Sequence, residues 1–303
     1  MSQDPDHSHL PGSYVCHGTC AYCDDRGRGS RRDVGTRSDA PLPRRCTRTE
    51  SELVLKPKAP VCTIAPEGNR DPYDTAEGRC ELTRRQLEAA RDAGLSALVI
   101  TRSDRVVRDL PLLAEIAGSG GATVLVAVAT ADPELAALWE PDTPPPSSRL
   151  AVLRPLAEAG VAAGLLAAPL VPFLMDDHAQ LRALLVAAAH AGAQFFVTET
   201  AAARLEPSRE RTMQLFAERW PQLLAPLNRL YDESPRPAKA YGDRVAGDAC
   251  RIGVMLGLPH GMPRSWSPGA LLGAAFSDRL RIGSRSPTEE QEAGAVGMIR
   301  WKK

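Results

Sequence analysis

The stretch 16–23 reads Cys-His-Gly-Thr-Cys-Ala-Tyr-Cys and places three cysteines at C-x₃-C-x₂-C spacing. Three thiolates are one ligand short of a structural zinc site, which closes its coordination with four protein groups. A cubane iron–sulfur cluster held by three cysteines instead leaves one iron open to a small molecule. The spacing therefore favours a ligand-binding metal centre on Cys16, Cys20 and Cys23.

Other interpretations of the cysteines stay open on spacing alone. Histidine and cysteine mix freely around zinc, so His7, His9 or His17 could complete a zinc site. The thiols could also be unligated. A disulfide is disfavoured, because residues 1–6 lack the features of a secretory signal and seven cysteines leave one unpaired.

Length and charge narrow the class of protein. A chain of 303 residues is compatible with one α/β barrel around a single core. Lys plus Arg equals Asp plus Glu, at 37 each, so no global field attracts nucleic acid or an anionic membrane. The longest apolar stretch, 161–175, contains two prolines and is too short to span a bilayer. We expect a soluble, cytoplasmic protein.

Beyond the cysteines, residues 24–50 are polar and predict a solvated loop, after which short apolar runs alternate with amphipathic segments. This alternation is typical of β/α units. The apolar runs predict six strands, at 53–56, 61–64, 97–101, 123–129, 162–168 and 194–198.

Helices are predicted between most of these strands. Each ends just before a glycine, which unwinds a helix end by adopting a left-handed conformation. The predicted helices span 83–93, 109–117, 145–159 and 177–191, closed by Gly94, Gly118, Gly160 and Gly192. Repeated strand–helix–strand units imply right-handed crossovers and a parallel sheet, whose ligands bind beyond the carboxyl ends of the strands.

With Tyr22 just before the third cysteine, the motif resembles that of the radical S-adenosylmethionine (radical SAM) superfamily. The resemblance implies a [4Fe-4S] cluster whose open iron binds S-adenosyl-L-methionine. It also implies reductive cleavage of that ligand to a 5′-deoxyadenosyl radical, which abstracts hydrogen from a substrate. The fold it implies is α/β, a partial (β/α)₆ TIM-like barrel with a helical C-terminal extension.

A narrower resemblance is to the spore-photoproduct-lyase-like branch of that superfamily. The matching segments lie in the family's order within residues 14–260: 71–73 (Asp-Pro-Tyr) followed by Ala76-Glu77, 101–103 (Thr-Arg-Ser), 108–110 (Arg-Asp-Leu), 139–141 (Trp-Glu-Pro) and 168–172 (Ala-Pro-Leu-Val-Pro). A zinc site on the cysteines does not predict these later matches.

The resemblance also assigns site residues. It implies that the cofactor is bound by Tyr22, Asp71, Thr101, Arg102 and Ser103. Arg102 departs from the family, which usually has lysine there, and would offer a planar fork instead of a point charge.

Thiols are good hydrogen donors, so Cys46, Cys62, Cys80 and Cys250 are candidates for quenching a substrate radical. Cys62 is a candidate hydrogen donor, because these lyases use a cysteine in that part of the barrel; a buried cysteine is otherwise a small apolar residue. Tyr73 is a candidate radical relay or a packing residue.

Four segments are expected: a cluster-binding segment and loop at 1–50, the barrel at 51–220, a helical cover at 221–260 and a loosely ordered tail at 261–303. Residues 216–220 and 223–231 predict one helix that covers a barrel edge, and residues 241–258 predict a second.

The sequence leaves the substrate unknown. The alternatives are DNA repair like that of spore photoproduct lyase and a non-catalytic scaffold that binds zinc or a cluster. The expected partners are an electron donor such as flavodoxin or ferredoxin, and DNA by family resemblance only, with no membrane.

Overall fold

The computed structural model describes residues 52–54, 61–64, 71–74, 77, 81–119, 121–200, 208–231, 237, 239–261 and 300–302. The side chains of 52–54, 61–63, 208–210, 239 and 300–302 are not described. The cysteine motif, the loop that follows it and most of the predicted tail therefore lie outside the described residues.

A parallel sheet forms the centre of the fold. Its strands are β2 (Val61–Ile64), β3 (Ser96–Thr101), β4 (Ala122–Ala127), β5 (Ala162–Leu170) and β6 (Phe195–Thr200). They pair in chain order, and every pairing is parallel. Sequential parallel strands joined by helical crossovers are the arrangement of a partial barrel. The predicted α/β class is confirmed.

The predicted first strand differs from its expected role. Residues 53–56 were assigned to the parallel sheet, but the strand that forms there, β1 (Glu52–Val54), pairs antiparallel with β7 (Arg300–Lys302). The described parallel sheet thus has five strands and not six. Local alternation of apolar residues predicts that a strand forms but does not identify its partner.

The sixth position of the sheet is occupied from elsewhere in the chain. Residues 259–261 run beside β6, where Phe196 and His260 form a parallel bridge. The Phe196 N–H donates to the Pro259 carbonyl at 3.0 Å, and the Gly261 N–H donates to the Phe196 carbonyl at 2.7 Å. This short bridge covers part of the β6 edge that β5 does not pair.

Nine helices are described: α1 (Leu82–Asp92), α2 (Leu110–Ser119), α3 (Pro133–Trp139), α4 (Pro146–Ala151), α5 (Leu153–Glu158), α6 (His178–His190), α7 (Ser208–Arg219), α8 (Leu224–Leu230) and α9 (Lys239–Leu256). A 3₁₀ turn, Asp104–Asp109, links β3 to α2. No described helix is long and apolar enough to cross a membrane.

The glycine stops explain most helix ends. Gly94, Gly160 and Gly192 have positive φ, as predicted, but α2 continues past Gly118 and its following turn has positive φ at Gly121. The predicted helix 145–159 divides into α4 and α5. Pro155 accounts for the division, because it lacks the N–H that would bond to the carbonyl of residue 151.

Alternating strand residues supply two apolar faces. One face packs against the helices and includes Val99, Val124, Leu165 and Phe196 with Leu113 and Leu184. The opposite, inner face is also apolar and consists of Leu98, Leu125, Ala127, Leu166, Ala168, Phe195 and Val197. Burial on both faces is characteristic of parallel strands.

Candidate functional site

The carboxyl edge of the parallel sheet brings together several predicted site residues. Asp71 lies in the segment after β2, and Thr101 to Ser103 end β3 and begin the 3₁₀ turn. Tyr73 lies in the same segment as Asp71. The parallel topology therefore places two segments separated by about thirty residues beside each other.

Asp71 connects these two segments directly. One oxygen, Oδ1, accepts hydrogen bonds from the Thr101 hydroxyl at 2.6 Å and from the Tyr73 N–H at 2.9 Å. The other, Oδ2, accepts from the Arg102 N–H at 2.5 Å. The carboxylate thus fixes the end of β3 against the segment after β2.

The two hydroxyl residues of the Thr-Arg-Ser segment shape the following turn. Thr101 accepts from the Ser103 N–H at 3.0 Å, and the Ser103 hydroxyl accepts from the Arg105 N–H at 3.2 Å. Ser103 thereby caps the 3₁₀ turn in the usual manner of a serine at a helix start. Both side chains are buried, whereas Arg102 is half-buried.

A charged network joins the same two segments farther from β3. Glu77, 5% exposed, accepts from the Arg108 guanidinium at 2.8 Å and from the Thr83 N–H at 2.9 Å. Asp109 is fully buried between Arg108, at 2.6 Å, and Arg84, at 2.9 Å. The hydrogen bond to Asp109 is the main cause that raises the pKa of Arg108 above its ordinary value. Two carboxylates and two guanidinium groups therefore balance in charge.

Tyr73 lies inside this network and is 1% exposed. The Arg108 guanidinium lies 5.5 Å from the centroid of its ring. Burial, followed by the Asp109 charge, raises the pKa of the Tyr73 hydroxyl far above its ordinary value, so the phenol is neutral. These contacts are those of a core residue; the radical-relay role stays a prediction.

The Trp-Glu-Pro segment contributes a buried ion pair beneath the end of β4. Glu140 accepts from Arg149 at 2.7 Å, with both side chains 1% exposed. Arg149 also donates to the Ala127 carbonyl at 3.0 Å. Burial raises the pKa of the Glu140 carboxyl, and Arg149 offsets part of that rise. The pair fixes the proline-rich turn to β4.

The β5–β6 side of the edge carries a different arrangement. Asp176, 3% exposed, accepts from the Tyr241 hydroxyl at 2.5 Å and from the Phe173 N–H at 2.9 Å. Phe173 and Tyr241 also meet edge to face, with ring centroids 5.9 Å apart. Burial raises the pKa of Asp176, whereas the Tyr241 hydrogen bond lowers it. These contacts hold the first turn of α9 against the loop after β5.

The other end of α9 is held by His260. Its ring lies 4.9 Å from the Phe196 ring, and its Nε2 is 3.2 Å from the Thr198 hydroxyl. Burial lowers the pKa of His260. The segment that returns to the sheet is thus packed on the helix-facing side of β6.

Cys16, Cys20, Cys23 and Tyr22 lie outside the described residues, so their predicted roles stay predictions. Among the described residues, no group of three or more His, Cys, Asp or Glu could hold a metal ion. Cys62 lies on β2 opposite Ala97, but its side chain is not described. Its predicted role as hydrogen donor therefore stays untested.

Sequence reasoning missed several residues of this edge. Glu77, Arg108 and Glu140 belong to segments that resemble family motifs, but the sequence does not predict their ion pairs, Glu77 with Arg108 and Glu140 with Arg149. Asp176 and Tyr241 belong to no motif and are 65 residues apart. Local signals existed only beside the missed residues, in the helix-capping residues Asp132 at the start of α3 and Asp177 at the start of α6.

Taken together, the described edge offers a half-buried arginine, an oxygen-rich turn and an apolar inner face below them. Arg102 is a half-buried cation at this edge, and its backbone N–H bonds to Asp71. An arginine fork matches a carboxylate in geometry.

No protein-family model matches the chain. An uncharacterized protein of Mycobacterium tuberculosis is 31% identical over 258 residues, covering 81% of this chain and 75% of the relative. A Mycobacterium bovis protein, also uncharacterized, matches with the same figures. An uncharacterized protein of Acidianus two-tailed virus is 40% identical over 90 residues, or 30% of this chain and 29% of the viral protein.

Solved structures match over a smaller part. A spore photoproduct lyase variant has a TM-score of 0.48 at 15% identity, covering 68% of this chain and 62% of the lyase. Another variant, with bound AdoMet and dinucleoside spore photoproduct, has a TM-score of 0.47 at 14% identity, with the same coverage. SuiB of Streptococcus suis bound to S-adenosylmethionine has a TM-score of 0.34 at 13% identity, covering 46% of this chain and 33% of SuiB. This chain therefore spans less than two thirds of the lyase, whereas the mycobacterial matches extend over most of both chains.

Proposed function

We propose that this chain, which belongs to the same family as the mycobacterial proteins, is a radical SAM enzyme. The observation that carries the proposal is the contact between Asp71 and Thr101, at 2.6 Å on the carboxyl edge of a parallel sheet. Two of the segments that resemble family motifs thus come together where such a sheet binds ligands. The motif order along the chain supports the same interpretation.

The chemistry of the donor set fits the implied cluster. Cys16, Cys20 and Cys23 supply three soft thiolates, which suit iron–sulfur clusters and leave one iron for a ligand. When bound, the cluster and S-adenosyl-L-methionine supply reductive cleavage of a sulfonium and hydrogen abstraction from a substrate. Reduction requires an external donor, for which a flavodoxin or ferredoxin is the expected partner.

The chain's own residues bind and orient in this proposal. Arg102 binds the carboxylate of S-adenosyl-L-methionine, and Asp71 sets the position of Arg102 through its backbone N–H. Tyr22 lies beside the cluster cysteines in sequence. The apolar inner face, with Ala127, Ala168 and Val197, keeps water away from the reacting groups.

Anaerobic reconstitution followed by electron paramagnetic resonance tests the proposal. We expect about four irons per chain and a spectrum of the reduced protein that changes when S-adenosyl-L-methionine is added. Replacing all three motif cysteines by alanine abolishes iron binding, whereas the matched variant Cys250→Ala, on α9, retains it. Zinc in place of iron, or a cluster indifferent to the ligand, contradicts the assignment and leaves the scaffold alternative.

The substrate is tested next with the reconstituted protein. Reversal of the photoproduct in ultraviolet-damaged thymine dinucleotide, with S-adenosyl-L-methionine regenerated, would indicate DNA repair. Consumption of S-adenosyl-L-methionine without repair would indicate another radical reaction.

A further inference from the structure

Two loops that carry the proposed cofactor residues are joined at two separate points. The first is Asp71, which bonds to Thr101 and to the Arg102 N–H. The second is Glu77, six residues farther along, which pairs with Arg108 at 2.8 Å. Between these points the exposed Arg105 donates to the Asp74 carbonyl at 3.3 Å. Asp71, Asp74 and Glu77 are therefore each bonded to the loop after β3.

The Glu77–Arg108 pair is more constrained than a surface ion pair. Glu77 is 5% exposed, and its two oxygens also accept from the Thr83 N–H and the Arg84 N–H at the start of α1. Arg108 donates to Asp109 and lies over the ring of Tyr73. Glu77 thus contacts both the 3₁₀ turn and α1. Arg108 contacts the segment after β2 and Asp109, which in turn pairs with Arg84 of α1.

We propose that Glu77 and Arg108 are positioning residues for S-adenosyl-L-methionine binding. The inference rests on the proposed function and adds two residues that contact neither cofactor nor substrate. Their ion pair sets the distance between the Asp71 segment and the Thr101–Ser103 turn, and so the place of the Arg102 guanidinium. The Glu77 carboxylate is suited to this task because it is 5% exposed, so little water is available to replace Arg108 as its partner, although Arg108 itself is 31% exposed.

The test is the dissociation constant of S-adenosyl-L-methionine for reconstituted Glu77→Gln, expressed per cluster-loaded chain. Glutamine keeps the size of the side chain and an oxygen for the Thr83 N–H, but removes the charge that faces Arg108. We expect the dissociation constant to rise about tenfold and the ligand-induced change in the electron paramagnetic resonance spectrum to shift. The conservative variants Glu77→Asp and Arg108→Lys keep the charges. We expect each to bind S-adenosyl-L-methionine more tightly than Glu77→Gln does, but less tightly than the wild type.

Arg91→Gln is the matched control. It breaks the Arg91–Glu115 pair, at 3.1 Å, which joins α1 and α2 on the exposed surface. We expect its dissociation constant to stay within twofold of the wild-type value, because exposed pairs contribute little.

Hydrogen exchange of the cluster-free protein gives a readout that needs no activity. Peptides covering 71–84 should exchange faster in Glu77→Gln than in the wild type or in Arg91→Gln. Variants that melt at a lower temperature yet bind the ligand with wild-type affinity would overturn the inference and leave a structural role. Failure of the wild-type protein to bind the ligand would instead overturn the proposed function.

Discussion

Around the loops after β2 and β3, two carboxylates and two guanidinium groups lie within hydrogen-bonding distance of one another. Around β6 and α9, the buried contacts are mainly aromatic and apolar, with Asp176 as the buried acid, whereas the ion pairs that Asp248 forms with Arg244 and Arg251 lie on the partly exposed face of α9. Charged hydrogen bonds specify direction and partner, whereas apolar contacts respond mainly to volume. The difference indicates that the β2–β3 side is built for exact placement of loops, and the β5–β6 side for close packing of a covering helix.

Removing charge should affect the two sides unequally. Asp109→Asn removes the fully buried counter-ion that Arg84 and Arg108 share and leaves Arg108 with Glu77 alone, and we expect a loss of about 3 kcal/mol in the free energy of unfolding. This value is at the low end of the range because both arginines are partly exposed. Asp248→Asn, which removes a partly exposed partner of Arg244 on α9, should cost less than about 1 kcal/mol. Urea denaturation of the two variants measures both, and equal losses would contradict the comparison.

Adding a methyl group to the interface between β6 and α9 should lower the stability of the fold, because that side is closely packed. A methyl group on Gly253 would lie 2.5 Å from the Phe196 ring and 2.6 Å from the Leu258 carbonyl. We expect Gly253→Ala to destabilise the fold by about 1–3 kcal/mol through overpacking.

Gly247→Ala is the control on the same helix, where the nearest atom, in Arg251, is 3.8 Å away. Alanine should there stabilise the helix by up to about 1 kcal/mol. Thermal and urea denaturation measure both effects. If Gly253→Ala is stabilised as much as Gly247→Ala, close packing is not what distinguishes the β6–α9 side from the β2–β3 side.

The smallest expected effect is on the pH dependence of stability, to which His260 on the β6–α9 side contributes. Burial lowers the pKa of His260 in the folded chain. As the pH falls below about 6.5, the unfolded chain binds a proton that the folded chain does not, so stability declines. In His260→Gln the decline between pH 7.5 and 5.5 should be shallower.

His178→Gln, on the exposed start of α6, serves as the control for the pH experiment. Denaturation midpoints measured across the same pH range compare the variants. An unchanged slope in His260→Gln would show that this histidine does not link stability to pH.

Sequence patterns predict the strands of the parallel sheet better than the pairing at the edges of that sheet. The strands at 61–64, 97–101 and 162–168 form close to their expected bounds, because continuous apolar runs bounded by glycine stops identify buried strands. The edge bridge at 259–261 escaped prediction, because Leu-Pro-His-Gly has no strand pattern and pairs through a single residue. Such pairings depend on long-range contacts that no local pattern encodes.

For the site, the resemblance identifies Asp71 and Thr101 as site residues, but it does not predict the hydrogen bond between them. The oxygens of Asp71 join two loops of the chain itself, and its predicted role in cofactor binding stays a prediction. In the sequence, nothing distinguishes Glu77 and Asp109 from exposed charged residues. Only packing shows that they are buried, because burial depends on neighbours supplied by α1 and the 3₁₀ turn.

The bridge between β6 and residues 259–261 also sets an order of events during synthesis. β6 obtains its second neighbour only after α7, α8 and α9 have been made. A nascent chain halted within α9 still presents the N–H and carbonyl of Phe196 as an open strand edge, a feature that invites pairing with other chains. Once Gly261 has been made, both backbone groups of Phe196 can be paired, so this part of the β6 edge is protected only after α9 is complete.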